Sequence, residues 1–430
     1  MDKTNNLEIF AREVGHGSTR AAVSFGKLFY GDSWPSHVFY DHDVSGVNVD
    51  NVAKLAHSVI STNELATKLY NIPGFFRFVR SMPLGSDLKK WTESVSRECN
   101  PVILCHESLV HALSSVGSPQ PKFLYTLNVI LKPGEQNLSG LDGIIVRSQQ
   151  AKQNLLGRGH SDEKIHVATL VDPDIVNNRD YDFQRRSARL ELCQQMKQMQ
   201  DLRLLQDDSV LEERHRGRFT VALITSGSGH YSRQIREIIQ SFHLPLSMNL
   251  VNLVLVGGYD IPNSPMKVVL DETRRLGLKT VVTEEYAREV EGLQIVYNRN
   301  TKRLVDSSFK VIRNADVVLL TSSTDIMGVT DAAACPKYVG IYRGFHEKAD
   351  KIDALRTSDG QLAYDWFDST AARLNQTWDR IFQNATGNLQ GEHTLYQLTR
   401  ALHELKGITP FESNLGIKSF IERCLEKHDK

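Results

Sequence analysis

Short apolar runs recur along the chain, separated by longer stretches in which apolar residues return every three or four positions. The runs predict β-strands at 36–41 (SHVFYD), 100–106 (NPVILCH), 121–127 (PKFLYTL), 142–148 (DGIIVRS) and 164–170 (KIHVATL). A second series lies at 219–225 (FTVALIT), 250–258, 279–284, 293–298, 315–323 and 337–344. Few of these runs alternate strictly between apolar and polar residues, which suits strands buried on both faces. The longer periodic stretches predict helices, among them 148–159, 267–278, 394–407 and 414–428. In 394–407, Leu395, Leu398, Leu402 and Leu405 share one face, and Gly407 is a candidate C-cap. Strand followed by helix, repeatedly, predicts parallel, doubly wound α/β sheets.

A chain of 430 residues exceeds what one core ordinarily serves, so two domains are expected. The stretch 179–218 is rich in charge and poor in long apolar runs. It reads as a connector, with Leu190, Leu202 and Leu205 available to dock. The predicted layout is a Rossmann-like domain at 1–178, the connector at 179–218, a second Rossmann-like domain at 219–366, and C-terminal helices at 367–430. Each half opens with the same device. In REVGHGSTRAAVSFGKLF (12–29) and TVALITSGSGHYSRQIREII (220–239), an approach run meets a glycine turn and a helix follows.

Composition narrows the class. The chain has 51 basic and 51 acidic residues, 40% hydrophobic content and 24% charged content. A neutral balance gives no argument for nucleic acid as a partner, and the apolar share is that of a folded protein. The five cysteines are scattered with no CxxC, which fits reduced cytosolic thiols better than disulfides or a zinc site. Cys105 and Cys335 lie in apolar runs and read as small core residues. The N-terminus lacks a basic segment followed by an apolar one, and no apolar run is long enough to span a bilayer. The expected location is the cytoplasm.

The glycine turns carry the candidate chemistry. A strand that turns tightly into a helix leaves backbone N–H groups unpaired at the helix start, where the dipole also favours an anion. Glycine lets the backbone approach that anion closely. In TSGSGHYSR, Gly227, Ser228 and Gly229 form the candidate cradle, and Arg233 can offset phosphate charge. The GxGxxG fingerprint and the Lys-Ser/Thr of a P-loop are both absent, which lowers oxidoreductase and P-loop nucleotidase readings.

Four stretches together resemble the GT-B superfamily of glycosyltransferases. VGHGSTRAAVSFGKLF resembles their N-terminal glycine loop and first helix. LDGIIVRSQQAKQNLLGRGHSDEKIHVATLVDPDIV resembles the end of a GT-B N-domain, through Ser148, Lys152, Leu155, Gly159, Lys164, Ile165, Val171, Asp172 and Pro173. VALITSGSGHYSR resembles the start of the C-domain in family 28, which includes the enzyme of lipid II synthesis. ADVVLLTSSTDIMGVTDAAACPKYVGIYR resembles that family's donor-site strand and helix. The likeness spans about residues 10–345. The chain departs from it where family 28 has a ribose-binding Glu, the nearest acid by position being Asp331. RGFHEKAD stands where a Gln-Asn is usual.

The resemblance implies an inverting, metal-independent hexosyl- or N-acetylhexosaminyl-transferase with no resident cofactor. Its donor would be a nucleotide-diphosphate sugar, a UDP-sugar by the likeness, bound on the C-domain. Its acceptor would be a glycan, lipid-linked or small-molecule hydroxyl on the N-domain side, with Gly15, Gly17 and Ser18 forming the acceptor-side loop. Inversion needs a base within hydrogen-bond reach of the acceptor hydroxyl. His16 in the first glycine loop, His106 at the end of a predicted strand and the adjacent Glu107 are the candidates. Each also has an ordinary reading, such as a loop histidine bonded to its own backbone. Donor contacts are expected from Gly227, Ser228, Gly229, Arg233, Tyr297, Asn298, Thr321, Ser322, Ser323, Thr324, Asp331 and Arg343. The hydroxyls at 321–324 serve equally as helix N-caps.

Other readings stay open. Asp-x-Asp triplets at 41–43, 172–174 and 180–182 could suggest a metal-dependent GT-A enzyme, but that fold lacks a paired-domain layout. Non-hydrolysing UDP-sugar 2-epimerases share the two-domain fold, though their GTRPE motif is not present. A non-catalytic GT-B-like binding protein is the reading from another class. The stretch NIPGFFRFVRSMPL (71–84) mixes phenylalanine and arginine and would allow at most peripheral membrane contact.

Overall fold

A computed structural model describes residues 6–12, 16–40, 85–107, 109–110, 113, 117–127, 138, 140–177, 219–225, 232–247, 251–257, 264–287, 290, 292–315, 317–320, 338–342, 365–367 and 410–428. The chain forms two compact units. One comprises Met1–Pro173 with Gly407–Lys430, the other Asp174–Lys406.

The first unit holds a six-stranded sheet in the order β2-β1-β3-β4-β5-β6, formed by Glu8–Ala11 (β1), Val38–Tyr40 (β2), Val102–Leu104 (β3), Lys122–Tyr125 (β4), Gly143–Val146 (β5) and Ile165–Val167 (β6). Every pairing is parallel. Side chains alternate across a strand, so each residue is committed to one of two faces. On one face Phe10, Leu104, Leu124 and Ile144 pack with Trp91 and Val95 of Gly85–Glu98 (α2) and Ala151 and Leu155 of Gln149–Leu156 (α3). Phe10 meets Trp91 edge-on, with centroids 5.3 Å apart. Burying Trp91 contributes about 2–3 kcal/mol. Ser148 caps α3 by accepting the Ala151 N–H.

The other face receives His16–Tyr30 (α1) and Pro410–His428 (α9). Phe25 of α1 lies edge-on to Tyr125 at 5.4 Å. Gly26 lets α1 come close to β2, since a Cβ there would stand 2.7 Å from Val38 Cγ2. Residues 18–26 are buried without a break, so α1 is enclosed on all sides. The sequence pattern assigns 367–430 to C-terminal helices as a group of their own. The last of them, α9, is built into the first unit. Its Ser413 hydroxyl accepts the Thr169 N–H (2.9 Å) and donates to the Thr169 carbonyl (2.8 Å). Its Asn414 side chain does the same for Val171, at 3.2 and 2.8 Å. Two side chains thus stand in for a neighbouring strand where β6 ends.

The second unit holds a seven-stranded sheet in the order β13-β12-β11-β7-β8-β10-β9. Its strands are Phe219–Ile224 (β7), Val251–Val256 (β8), Thr280–Thr283 (β9), Leu293–Val296 (β10), Val317–Leu320 (β11), Tyr338–Tyr342 (β12) and Asp365–Phe367 (β13), again all parallel. Val221, Leu223, Leu253, Leu255 and Ile295 pack with Ile235, Ile238 and Ile239 of Ser232–Ser241 (α5), Leu246 of His243–Ser247 (α6), and Val268 and Val269 of Pro265–Leu276 (α7). Thr301–Asn314 (α8), capped by Asn300, lies against β7 and β8. Ser264 caps the start of α7, and Gly277, at φ +68°, closes its end in the left-handed conformation that only glycine adopts cheaply.

Each apolar run named from the sequence forms a strand, and the parallel, doubly wound α/β class holds in both units. Glu8–Ala11, Asp365–Phe367 and helices α2 and α8 are additions. Pro173–Asn177 (α4) follows the first sheet. The connector 179–218, the stretch 71–84, Cys335 and the helix expected at 394–407 lie outside the described residues. Among the described residues, no helix is long and apolar enough to cross a membrane.

Candidate functional site

Open parallel sheets bind ligands beyond the carboxyl ends of their strands, where the strand order reverses. In the first unit that point lies between β1 and β3. β1 pairs with β2 on one side (Ile9↔Val38) and with β3 on the other (Phe10↔Leu104). The chain leaving β1 passes Arg12, which is buried, and enters α1 at His16, which is 5% exposed. The chain leaving β3 is held to β1 by the Cys105 N–H, which donates to the Phe10 carbonyl at 2.9 Å. His106, half-buried, and Glu107, 4% exposed, follow directly. The three base candidates therefore share one sheet edge, after two adjacent strands.

The first turn of α1 is fastened residue by residue. Ser18 Oγ accepts the Arg12 N–H at 3.0 Å. Thr19 Oγ1 and the Tyr40 hydroxyl lie 3.3 Å apart, which ties the helix to β2. A Cβ on Gly17 would meet Leu127 Cδ1 at 3.6 Å, an ordinary contact. Beyond β4, Thr126 Oγ1 donates to the Ile145 carbonyl, and beyond β5 the buried Arg147 donates Nη1–H to the Leu127 carbonyl at 3.2 Å. Burial pushes the Cys105 thiol up, so its sulfur is an inert core atom beside His106. Asp172, within the triplet 172–174, is fully buried and pairs with Lys27.

In the second unit the order reverses between β7 and β11, which pair in register (Ile224↔Leu320). The two strands therefore end side by side. Gly227, Ser228 and Gly229 follow β7 in the chain, and Thr321, Ser322, Ser323 and Thr324 follow β11; all seven lie outside the described residues, as do Gly15, Asp331 and Arg343. Arg233 is the second residue of α5, placed by its backbone. Thr225, the last described residue after β7, donates its hydroxyl proton to the Val256 carbonyl at 3.2 Å.

Tyr297 and Asn298 follow β10 at the same edge, beyond β8. Tyr297 packs against the core of its unit, and its N–H donates to the Thr283 carbonyl at 2.8 Å. Gly257, after β8, donates to the Val296 carbonyl at 2.8 Å, and a Cβ on it would stand 3.5 Å from Tyr297 Cβ. Asn298 Oδ1 accepts the Asn300 N–H at 2.9 Å, so its oxygen organises the turn into α8.

Arg12 and Arg147 were not singled out from the sequence. Both stand directly after a strand at the carboxyl edge. An arginine closing an apolar run was the available signal, seen in EIFAR and GIIVR.

The chain matches no protein-family model and no curated protein. Solved structures do resemble it. A UDP-GlcNAc 2-epimerase from Neisseria meningitidis bound to UDP-GlcNAc has a TM-score of 0.50 at 12% identity, over 97% of this chain and 99% of that one. Anabaena HepE in complex with UDP and glucose has a TM-score of 0.49 at 12% identity, over 97% and 99%. An α,α-trehalose-phosphate synthase (UDP-forming) from Burkholderia vietnamiensis has 0.45 at 12%, over 98% and 97%. At such identity the likeness is one of fold, and the fold is the GT-B type with two Rossmann-like domains.

Proposed function

We propose that the chain is a GT-B-fold glycosyltransferase that moves a sugar from a nucleotide diphosphate, a UDP-sugar, to an acceptor hydroxyl, inverting the anomeric centre without a metal. The observation that supports this most is a coincidence of topology and chemistry. In each unit the strand that precedes the glycine-rich stretch of the sequence borders the point where strand order reverses. In the second unit the residues that follow β7 and β11 in the chain would receive the diphosphate, with backbone N–H groups and Arg233 offsetting the leaving charge. In the first unit His16 or His106 would take the acceptor's proton, and Glu107 would orient the imidazole. The acceptor would be a glycan, a lipid-linked sugar or a small molecule.

A second reading is favoured by the Neisseria neighbour, an epimerase bound to UDP-GlcNAc. Under it, the same diphosphate site would serve C2 epimerisation. A thermal-shift screen of nucleotides and nucleotide sugars comes first. A donor at a hundred times its Kd adds about 2.7 kcal/mol to apparent stability. The stabilising sugar nucleotide is then incubated alone and with candidate acceptors. The C2 epimer without acceptor supports epimerisation, and a glycosylated acceptor with released nucleotide supports transfer. Binding with neither product indicates a non-catalytic binding protein, and no stabilisation by any nucleotide overturns both enzymatic readings.

A further inference from the structure

We propose that Ser18 is a positioning residue: its buried hydroxyl locks the start of α1 to the end of β1 and so presents His16. This rests on the reading of His16 as a proton acceptor. Ser18 belongs to the first turn of α1 and is 1% exposed. Serine is a poorer helix former than alanine, and a buried hydroxyl costs stability unless it is bonded. Here the hydroxyl takes up a donor that the strand ladder leaves behind, the Arg12 N–H, at 3.0 Å. That bond joins the first residue past β1 to the third residue of the helix, and His16, the first helical residue, lies inside the loop it closes. The adjacent Thr19 makes a second brace through Tyr40, and a Cβ at position 17 would reach Leu127 at 3.6 Å. Residues 18 and 19 are thus tied to the chain just past β1 and to the last residue of β2, and residue 17 faces Leu127 beyond β4. Ser18 therefore acts through His16 instead of contacting acceptor.

The test compares Ser18→Ala, Ser18→Thr and Tyr40→Phe, each in the wild-type and His16→Ala backgrounds. Histidine ring carbons are isotope-labelled, and the His16 resonance is assigned by its loss in His16→Ala. In Ser18→Ala the His16 titration midpoint should move or its resonance broaden, with the other histidines unchanged and the donor Kd unaltered. Turnover should fall roughly ten- to hundred-fold in the wild-type background and fall no further in His16→Ala. Ser18→Thr, which keeps the hydroxyl, should restore both readouts. Tyr40→Phe, which loosens only the second brace, should have the smaller effect. An unchanged His16 titration in Ser18→Ala, or equal loss of turnover in both backgrounds, overturns the proposal. A weakened acceptor KM with an unmoved His16 resonance makes Ser18 an acceptor contact. The resonance decides the positioning role even if no nucleotide sugar is turned over, so failure of the enzymatic reading is told apart from failure of this one.

Discussion

Lys27 Nζ lies 3.2 Å from Asp172 Oδ2, and the two side chains are 7% and 0% exposed. The pair joins the last turn of α1 to the end of the first of the two stretches of chain that make up this unit. Desolvating two charges is costly, so the pair's net worth is small, but breaking it strands a charge in the interior. Lys27→Met should destabilise the first unit by about 3 kcal/mol, and Lys27→Met with Asp172→Leu should regain most of that loss. Urea unfolding of both variants measures it. A single variant as stable as the parent would show that the ion pair does not hold this joint.

The same segment is also held by α9. Asn414→Leu removes the partners of the Val171 N–H and carbonyl at once, and Ser413→Ala does so at Thr169. Leaving such groups buried and unmatched costs about 2 kcal/mol per site. Hydrogen exchange should quicken at the Thr169 and Val171 amides in these variants, while amides of β7 and β8 in the other unit keep their rates. A chain ending before residue 407 should lose the same protection.

These contacts mark the boundary of what the chain's pattern reveals. Short apolar runs such as GIIV and VVLL, bounded by turn residues, suit doubly covered parallel strands, because both faces of such a strand are buried. EIFA was harder to read, since a glutamate opens it, and DWF is too short to carry a period. The helix at 414–428 was legible from its own periodicity, but its place in the first unit was not. That place depends on Ser413 and Asn414 meeting backbone groups more than two hundred residues earlier, and no local signal encodes such a pairing. The same holds for the site. His16, His106 and Glu107 are legible from residue type and strand ends, whereas the bond from Arg12 to Ser18 exists only once the strand and helix have folded together.

Two glycines in the first unit should respond oppositely to alanine. A Cβ on Gly143 would stand 2.8 Å from Phe123 Cδ1 and 2.9 Å from Phe420 Cε1, so rings from β4 and α9 must both give way. Gly143→Ala should cost about 2 kcal/mol. At Gly17 the new methyl meets only Leu127, at 3.6 Å, and alanine is the better helix former. Gly17→Ala should leave the melting temperature unchanged or slightly raised. A fall in acceptor use by that variant would then report a substrate approaching the backbone. Equal destabilisation by the two substitutions would remove the distinction.

Stability should also depend on pH through two groups with opposite signs. Glu8 at the start of β1 titrates at about 7 instead of 4.5, because burial and the nearby Glu98 outweigh the Asn100 amide that donates to it at 3.0 Å. The folded state holds this proton more tightly than the unfolded chain. Its contribution is therefore complete below about pH 4.5 and is lost as pH rises through 7. Glu8 is only partly buried, so the loss, discounted for solvent screening, is roughly 1 kcal/mol. His166, stacked on Phe420 with centroids 5.1 Å apart, runs the other way. Burial, with Arg423 and Lys152 nearby, lowers its pKa below 6.5, so its contribution is present above that value and is lost on acidification. Glu8→Gln should therefore be more stable than the parent at pH 8 and equal to it at pH 4. His166→Gln should lose less stability than the parent between pH 7 and pH 5. Chemical unfolding of the two variants across that range measures both, and an advantage for Glu8→Gln that stays constant with pH would assign its effect to packing and not to ionisation.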